Sequence, residues 1–590
     1  TRFKCDWSSD VCSSDLKDQE FREQLSVDWF IRDGLRLKGQ MAIVKGETSG
    51  EIYKSPFSAE FLKTTYNSES RVQEYLPIAE RGYLSMTDGA SFSYDGNVTL
   101  NYNTLVNEKH IIYAGAGLEV TQNDNNSHGF IMTGFPDDRY SDPAFAIQYK
   151  KETKPSSSES KSRAIGFFAN GNYSYDDRYF ADVSVRIDGS SKFGADKKYA
   201  PFWSAGAGWN VHNEKFFKHT KISMLKLRYS YGVTGNQEFS AYQAKTMFQF
   251  NTDRLYNSGI SAALMGYGNP DLEWQNQYQS NYGFDFGYAK DRIRLQFNYY
   301  QKKTEGMLTS VSVAPSLGLP SNTFTSNLGK IQNKGVEVNL NAVLIRDQGK
   351  DFEWSVMLQA AHNKNKIMEI STALKNINEK NNQDKTTPAA VYEEGESMSA
   401  IKAVPSLGID PTTGQELFMK KDGTITYTWD ATDKVICGDS EPKVFGNVGT
   451  NLYWKGWNLN MVFKYDLGAD YYNSTLAERV EGANPRYNAD RRVLNNRWKE
   501  PGQHALYKNI KEYTTTYISS RFVQKENTLQ LTSLSLSYDL NREWIRKFGL
   551  NTMRLSFYMN DVFRASTVKN ERGLDYPFQR SFVFGLNIGF

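Results

Sequence analysis

Six histidines, three cysteines and 67 carboxylates are the side chains of this 590-residue chain best suited to acid–base, nucleophilic or metal chemistry. Their spacing assembles none of it. The histidines stand at 110, 128, 212, 219, 362 and 504. No two have the HExxH spacing that sets a pair on one helix face for zinc. His212 and His219 flank Asn213-Glu214-Lys215-Phe216-Phe217 and read as a polar turn rather than a metal pair. Adjacent carboxylates occur at Asp137-Asp138, Asp176-Asp177 and Glu393-Glu394. Neighbours on extended chain point to opposite faces, so these read as solvated loop charges, not as acid–base dyads. The sequence holds no GxSxG, Walker loop or paired CxxC. Ala114-Gly115-Ala116-Gly117 and Ala205-Gly206-Ala207-Gly208 lack the GxGxxG spacing and fall inside strand-like runs. We therefore expect no catalytic residue, no cofactor and no metal, and the substrate-binding residues stay unassigned.

Cys5 and Cys12 lie in CDWSSDVCSSDL, which has neither helical nor strand period. Residues 1–16 are expected to be foreign to the fold. That leaves Cys437 alone, without a disulfide framework. Trp429, Tyr427, Tyr471 and Tyr472 fall in polar connecting segments. Aromatic faces stack on sugar rings, so these four could serve a ligand; packing within the loops, or against a lid protein, is the plainer role.

The elements that must carry these residues are strands. Charged residues make up 23% of the chain and aromatics 14%. Mean hydropathy is −0.61. No stretch approaches the roughly 20 apolar residues of a spanning helix. A net charge of +3 gives no electrostatic case for nucleic acid. The dominant signal is period two. In 292–300, Ile293, Leu295, Phe297 and Tyr299 alternate with Arg292, Arg294, Gln296 and Asn298. Runs at 181–188, 225–233, 336–344, 457–465 and 582–590 do the same. Side chains on a strand alternate faces, so each run has one apolar and one polar side. Many runs reach the roughly 9 to 11 residues that cross a bilayer as a tilted strand. Tyr173, Tyr175, Tyr179, Trp454, Trp457 and Trp544 sit near run ends, where aromatic girdles are expected.

Short turns at 176–178, 289–291 and 455–456 alternate with long polar loops at 121–162, 234–278, 302–333, 361–443 and 466–527. Outer-membrane barrels alternate in this way, with short turns in the periplasm and long loops outside. With the C-terminus in the periplasm, about 17 strands satisfy the alternation, and the first, near 24–31, runs inward. An odd number of strands is then expected upstream. Residues 151–163 read as a flexible loop tip, and 363–380 as loop.

Several segments resemble the SusC/RagA family of TonB-dependent transporters. They are DGSSKFG (188–194), GWNVHNEKFF (208–217), LKLRYSYGVTGNQ (225–237) and NPDLEWQ (269–275), then NLGKIQNKGVEV (327–338), GIDPTTGQELF (408–418), GDSEPKVFGN (438–447) and YPFQRSFVFGLNIGF (576–590). The resemblance implies an all-β, antiparallel transmembrane β-barrel of the plugged 22-strand type. It would be incomplete here, with about 17–19 strands in residues 17–590 and the plug missing. It implies the outer membrane of Bacteroidota, outer-membrane lipid around the wall, and coupling to TonB through an upstream region. It also implies a SusD-like surface lipoprotein and import of an oligosaccharide or peptide. Two alternatives remain open at this stage: a passive porin-like channel, and a soluble secreted β-rich carbohydrate-active protein.

Overall fold

The computed structural model describes residues 3–7, 10–66, 71–138, 141–194, 197–217, 221–236, 241–256, 259–312, 323–327, 329–370, 375, 378–379, 381–386, 388, 391–484, 490–511, 515–569 and 580–590. Among the described residues, seventeen long strands carry the fold. They are β1 (Asp10–Arg32), β2 (Leu35–Lys54), β3 (Tyr83–Val106), β4 (His110–Thr133), β5 (Ser156–Tyr175), β6 (Tyr179–Ser190), β7 (Tyr199–Asn210), β8 (Ile222–Asn236) and β9 (Gln275–Tyr288). The rest are β10 (Ile293–Glu305), β11 (Lys330–Asp347), β12 (Phe352–Glu369), β13 (Val444–Trp454), β14 (Trp457–Tyr472), β15 (Val523–Asp539), β16 (Thr552–Ser566) and β17 (Phe582–Gly589). With two short strands, Phe3–Trp7 and Gln148–Tyr149, they make up 19 strands joined in antiparallel ladders.

The chain divides into two compact units. One comprises Thr1–Asn172, Ser184–Phe202 and Gln237–Glu273; the other comprises Tyr173–Val183, Trp203–Asn236 and Trp274–Phe590.

In the second unit, alternation along each strand becomes continuous rows across strands. Leu225, Phe286, Leu295, Leu340, Leu358, Val448, Phe463, Leu531 and Phe563 are register partners in turn across β8 to β16. The neighbouring row on the opposite face reads Lys226, Asp285, Gln296, Asn339, Gln359, Asn447, Lys464, Gln530 and Arg564. One row is wholly apolar and the other wholly polar. A one-residue slip toward this polar row would put a charge or amide into the apolar row, so the pattern helps to fix register. Large side chains on the apolar side stay open to the surroundings: Leu227 is 43% exposed, Leu586 53% and Phe584 75%.

The first unit repeats the pattern and then departs from it. Leu25, Met41, Gly96 and Val120 form one apolar row across β1 to β4, and Trp29, Leu37, Leu100 and Ala116 another. Farther along, the same face becomes polar: Gln19, Glu47, Ala90 and Asn126, then Lys17, Ser49, Asp88 and His128. β3 and β4 have 24 residues each. At about 3.3 Å per residue such a strand spans roughly 80 Å, far more than the 9 to 11 residues of a tilted crossing. The far ends close on a small core of Tyr53, Leu84, Met132 and Phe135.

The connections mostly alternate in length, as the sequence predicts; 191–198, between β6 and β7, is short where the alternation calls for a long one. Short ones lie at 33–34, 107–109, 176–178, 289–292, 348–351 and 455–456, with 211–221 and 540–551 on the same end. The long ones lie at 55–82, 134–155, 237–274, 306–329, 370–443 and 473–522.

Three expectations need correction. The loops are shorter than read, four of them at both ends and 361–443 at its start alone, because strands run on past the apolar belt, where polar faces on both sides erase the period-two contrast. Residues 156–163, read as a flexible tip, are the start of β5, held by Lys161 to Asp124 and by Arg163 to Gln122. Residues 363–369, read as loop, complete β12. Residues 10–16 continue β1, and 12–16 pair with β2. An edge ladder needs only backbone N–H and C=O groups, so this pairing does not speak to the origin of that stretch.

Candidate functional site

The long connections 370–443 and 473–522 fold on each other, and one arginine holds them. Arg521 closes the 3₁₀ turn Ser520–Phe522 that leads into β15. Its Nη1 and Nη2 donate to Glu481 Oε2 and Oε1 at 2.6 and 2.8 Å. Nη2 and Nε donate to Glu416 Oε2 and Oε1 at 2.7 and 3.2 Å. The Glu481 side chain is fully buried. Lys508 Nζ lies 3.9 Å from Glu481 and donates to the Thr515 carbonyl at 3.3 Å. Arg497 donates to the carbonyls of Val493, Val480, Glu481 and Lys508.

Burial alone would pull the Arg521 guanidinium down. Its bonds to Glu481 and the charges of Glu416 and Glu481 outweigh burial and hold it above the ordinary arginine range. Two buried carboxylates share one planar fork, a geometry that lysine could not reproduce. Every carboxylate oxygen here has a donor, so the cluster is a staple and not a proton shuttle.

Backbone contacts extend the staple. Ser520 N donates to the Val404 carbonyl at 2.9 Å, and Ser406 N to Ser520 Oγ at 2.9 Å. Strands Ser406–Ile409, Glu416–Met419 and Ile425–Thr426 form a small sheet beside it. Asp422-Gly423 makes a hairpin turn between the last two of these strands, with Gly423 at φ +85°. Asp410 opens the DPTTG turn and accepts from Thr412 N, Thr413 Oγ1 and Tyr427 OH at 2.9, 3.0 and 2.6 Å. Gly414 lies under the Trp498 ring at φ +74°, where an added Cβ would come within 2.5 Å of the indole. Trp498 Nε1 donates to the Pro411 carbonyl at 2.8 Å.

A polar cavity of about 310 Å³ opens between the far end of β12 and the segment entering β13. Glu441 accepts from Asn363 and Asn365 at 2.6 and 2.7 Å. Asp439 accepts from Ser399 Oγ at 2.6 Å. Asp470 accepts from Asp439 N at 3.0 Å and pairs with Lys525 at 2.7 Å.

The aromatic residues singled out in the sequence are mostly committed to packing. Trp429 stacks on Tyr517 at 5.1 Å and donates to the Ile518 carbonyl, and Lys434 lies over its ring. Tyr472 packs edge-on against Phe522. Tyr427 serves Asp410. Tyr471 makes a further contact of its own. His212 Nδ1 lies 3.1 Å from the Leu225 carbonyl, and His219 lies outside the described residues. Among the described residues, no three His, Cys, Asp or Glu side chains converge as metal ligands.

Of the carboxylate pairs, Asp137 offers its carbonyl to Tyr53 OH, and Asp176 and Asp177 sit at positive φ in a turn. Glu393 pairs with buried Lys402, and Glu394 accepts from Ile370 N. Sequence reading passed over Arg521, Glu416 and Glu481. Only GIDPTTGQELF, which contains Glu416, pointed toward them.

Two of the quoted motifs meet in the first unit. Gly194 closes DGSSKFG against the Pro270 carbonyl of NPDLEWQ, where an added Cβ would fall 1.7 Å from that oxygen. Phe193 and Leu272 are buried beside them.

A family model described as TonB dependent receptor-like, beta-barrel matches residues 18–560. The chain belongs to the TonB-dependent receptor family. The apolar rows are thus the lipid side of a bacterial outer-membrane β-barrel, and the family is one of transport proteins, not enzymes. TonB-dependent receptor P3 of Formosa agariphila is 28% identical over 486 residues, which is 74% of this chain and 46% of that protein. TonB-dependent receptor SusC of Bacteroides thetaiotaomicron is 23% identical over 535 residues, 85% of this chain and 51% of that protein. The receptor chain described here therefore spans about half the length of these curated relatives. The solved RagAB peptide transporter has the same fold, with a TM-score of 0.84 at 21% identity over 99% of this chain and 63% of that one.

Proposed function

We propose that this chain is the wall of an outer-membrane importer. It takes up an oligomeric nutrient, glycan or peptide, with energy supplied through TonB and capture assisted by a SusD-like surface lipoprotein. The observation that carries the proposal is the pair of adjacent rows across nine strands, one wholly apolar and the other wholly polar. Such a wall satisfies its backbone hydrogen bonds strand to strand, faces lipid on one side and offers amides and charges to a solute on the other. The stapled loops add a folded layer suited to holding a large solute or a lid protein.

Uptake is the test. The gene is deleted in its native host, and import of fluorescent oligosaccharides and oligopeptides is followed with and without a functional TonB. The proposal predicts that one class enters wild-type cells, that the deletion abolishes entry, and that loss of TonB does the same. Entry that persists without TonB would contradict it and identify a passive channel.

A further inference from the structure

We infer that the outer end of β10–β12 holds a binding site for the phosphate of an outer-leaflet lipid headgroup. The inference rests on the lipid-facing reading of the apolar rows. On that face, beyond Leu227, Phe284, Phe297 and Val338, comes a row of Tyr229, Tyr282, Tyr299, Val336 and His362. The tyrosine rings touch, with centroids 4.8 and 6.2 Å apart. Aromatic rows on a barrel exterior sit at headgroup level. This one lies toward the long connections, which marks it as the outer interface.

The next row out reads Gln301, Lys334 and Lys364, and the one after it Lys303, Gln332 and Lys366. Lys334 and Lys364 are direct register partners, an arrangement in which like charges repel. Lys303 has a carboxylate, Glu305, at 2.7 Å. Lys334, Lys364 and Lys366 are exposed and have no carboxylate partner among the described residues. Lys443 is also exposed; its carbonyl lies 2.6 Å from His362 Nδ1, and its side chain lies over Gly468.

The polar cavity lies among these groups, and Lys364, Lys366 and Lys443 line it. Glu441, Asp439 and Asp470 also line it, and among the described residues none of them forms an ion pair with Lys364, Lys366 or Lys443. Glu441 is taken up by Asn363 and Asn365, Asp439 by Ser399, and Asp470 by Lys525. A facing pair of unmatched lysines is tolerable where an anion bridges it. Just outside an aromatic girdle, the anion in reach is a lipid phosphate. The cluster would then fix one phosphorylated lipid against the wall at the foot of the loop layer.

The test uses the protein purified from its outer membrane in mild detergent, with bisphosphorylated lipid A as probe. Dephosphorylated lipid A and inorganic phosphate are the comparisons. A Lys334→Gln, Lys364→Gln, Lys366→Gln triple variant is read beside a Lys420→Gln, Lys421→Gln control. At about fivefold per lysine near an anionic headgroup, the triple variant should bind the probe roughly a hundredfold more weakly, with the control unchanged. Wild type should prefer the phosphorylated form, and inorganic phosphate should not displace it. Equal affinity for the two lipids, unchanged binding by the triple variant, or displacement by inorganic phosphate would overturn the site. Outer-membrane fractionation and heat-modifiable gel mobility of the same variants report separately on the barrel reading, so the two failures are distinguishable.

Discussion

Arg521, Glu416 and Glu481 come from three separated stretches of chain, and no local period announces their meeting. Tertiary folding alone brings them together, which is why sequence reading missed them while recording the GIDPTTGQELF segment that holds Glu416. The aromatic residues took the plainer of the two roles read for them. A polar segment that folds needs its own small core, and the rings of Trp429 and Tyr472 supply it. Asp410 carries a testable consequence. The Tyr427 hydroxyl and the Thr412 amide hold its carboxyl below the ordinary aspartate range. A depressed folded value means the turn's contribution is present above the unfolded pKa of about 3.9 and is lost as pH falls toward the folded value. Hydrogen exchange of residues 406–427, measured as pH is lowered from about 5, should show the turn holding below that value in wild type. Tyr427→Phe removes the largest cause, so its turn should release at a higher pH. Identical acid profiles for the two proteins would refute this role for the hydroxyl.

At the scale of elements, most of the architecture was legible because lipid and water impose opposite demands on alternate residues. Ile293, Leu295, Phe297 and Tyr299 needed no tertiary information to be assigned to one face. Strand ends were not legible, since beyond the apolar belt both faces are polar, as at Lys17, Ser49, Asp88 and His128. Ladder pairing, which leaves no local signature, carries β1 to β4 outward there. The belt itself makes a sharp prediction. Leu340 lies in the apolar row and Asn339, its chain neighbour, in the polar one. Leu340→Arg should lower folding stability in lipid by about 2–4 kcal/mol, the cost of a midplane cation on a barrel exterior, and Asn339→Arg by about 1 kcal/mol or less. Denaturant unfolding into and out of vesicles would measure both. Similar losses for the two variants would mean that the faces are wrongly assigned.

For the whole molecule, one assignment governs the rest: the apolar rows meet lipid and the polar rows meet water. Transport, the headgroup site and the stapled loop layer all take their places from it. Spin labels placed singly along residues 336–343 of the protein in lipid bilayers test it most directly. Collision with dissolved oxygen reports lipid, and collision with a water-soluble nickel chelate reports water. We predict a strict two-residue alternation, with oxygen maxima at 336, 338, 340 and 342. Nickel access should fall at those same positions. Uniform accessibility along the segment, or low access to both reagents at the even positions, would mean that a second protein layer covers the apolar face and would contradict the account.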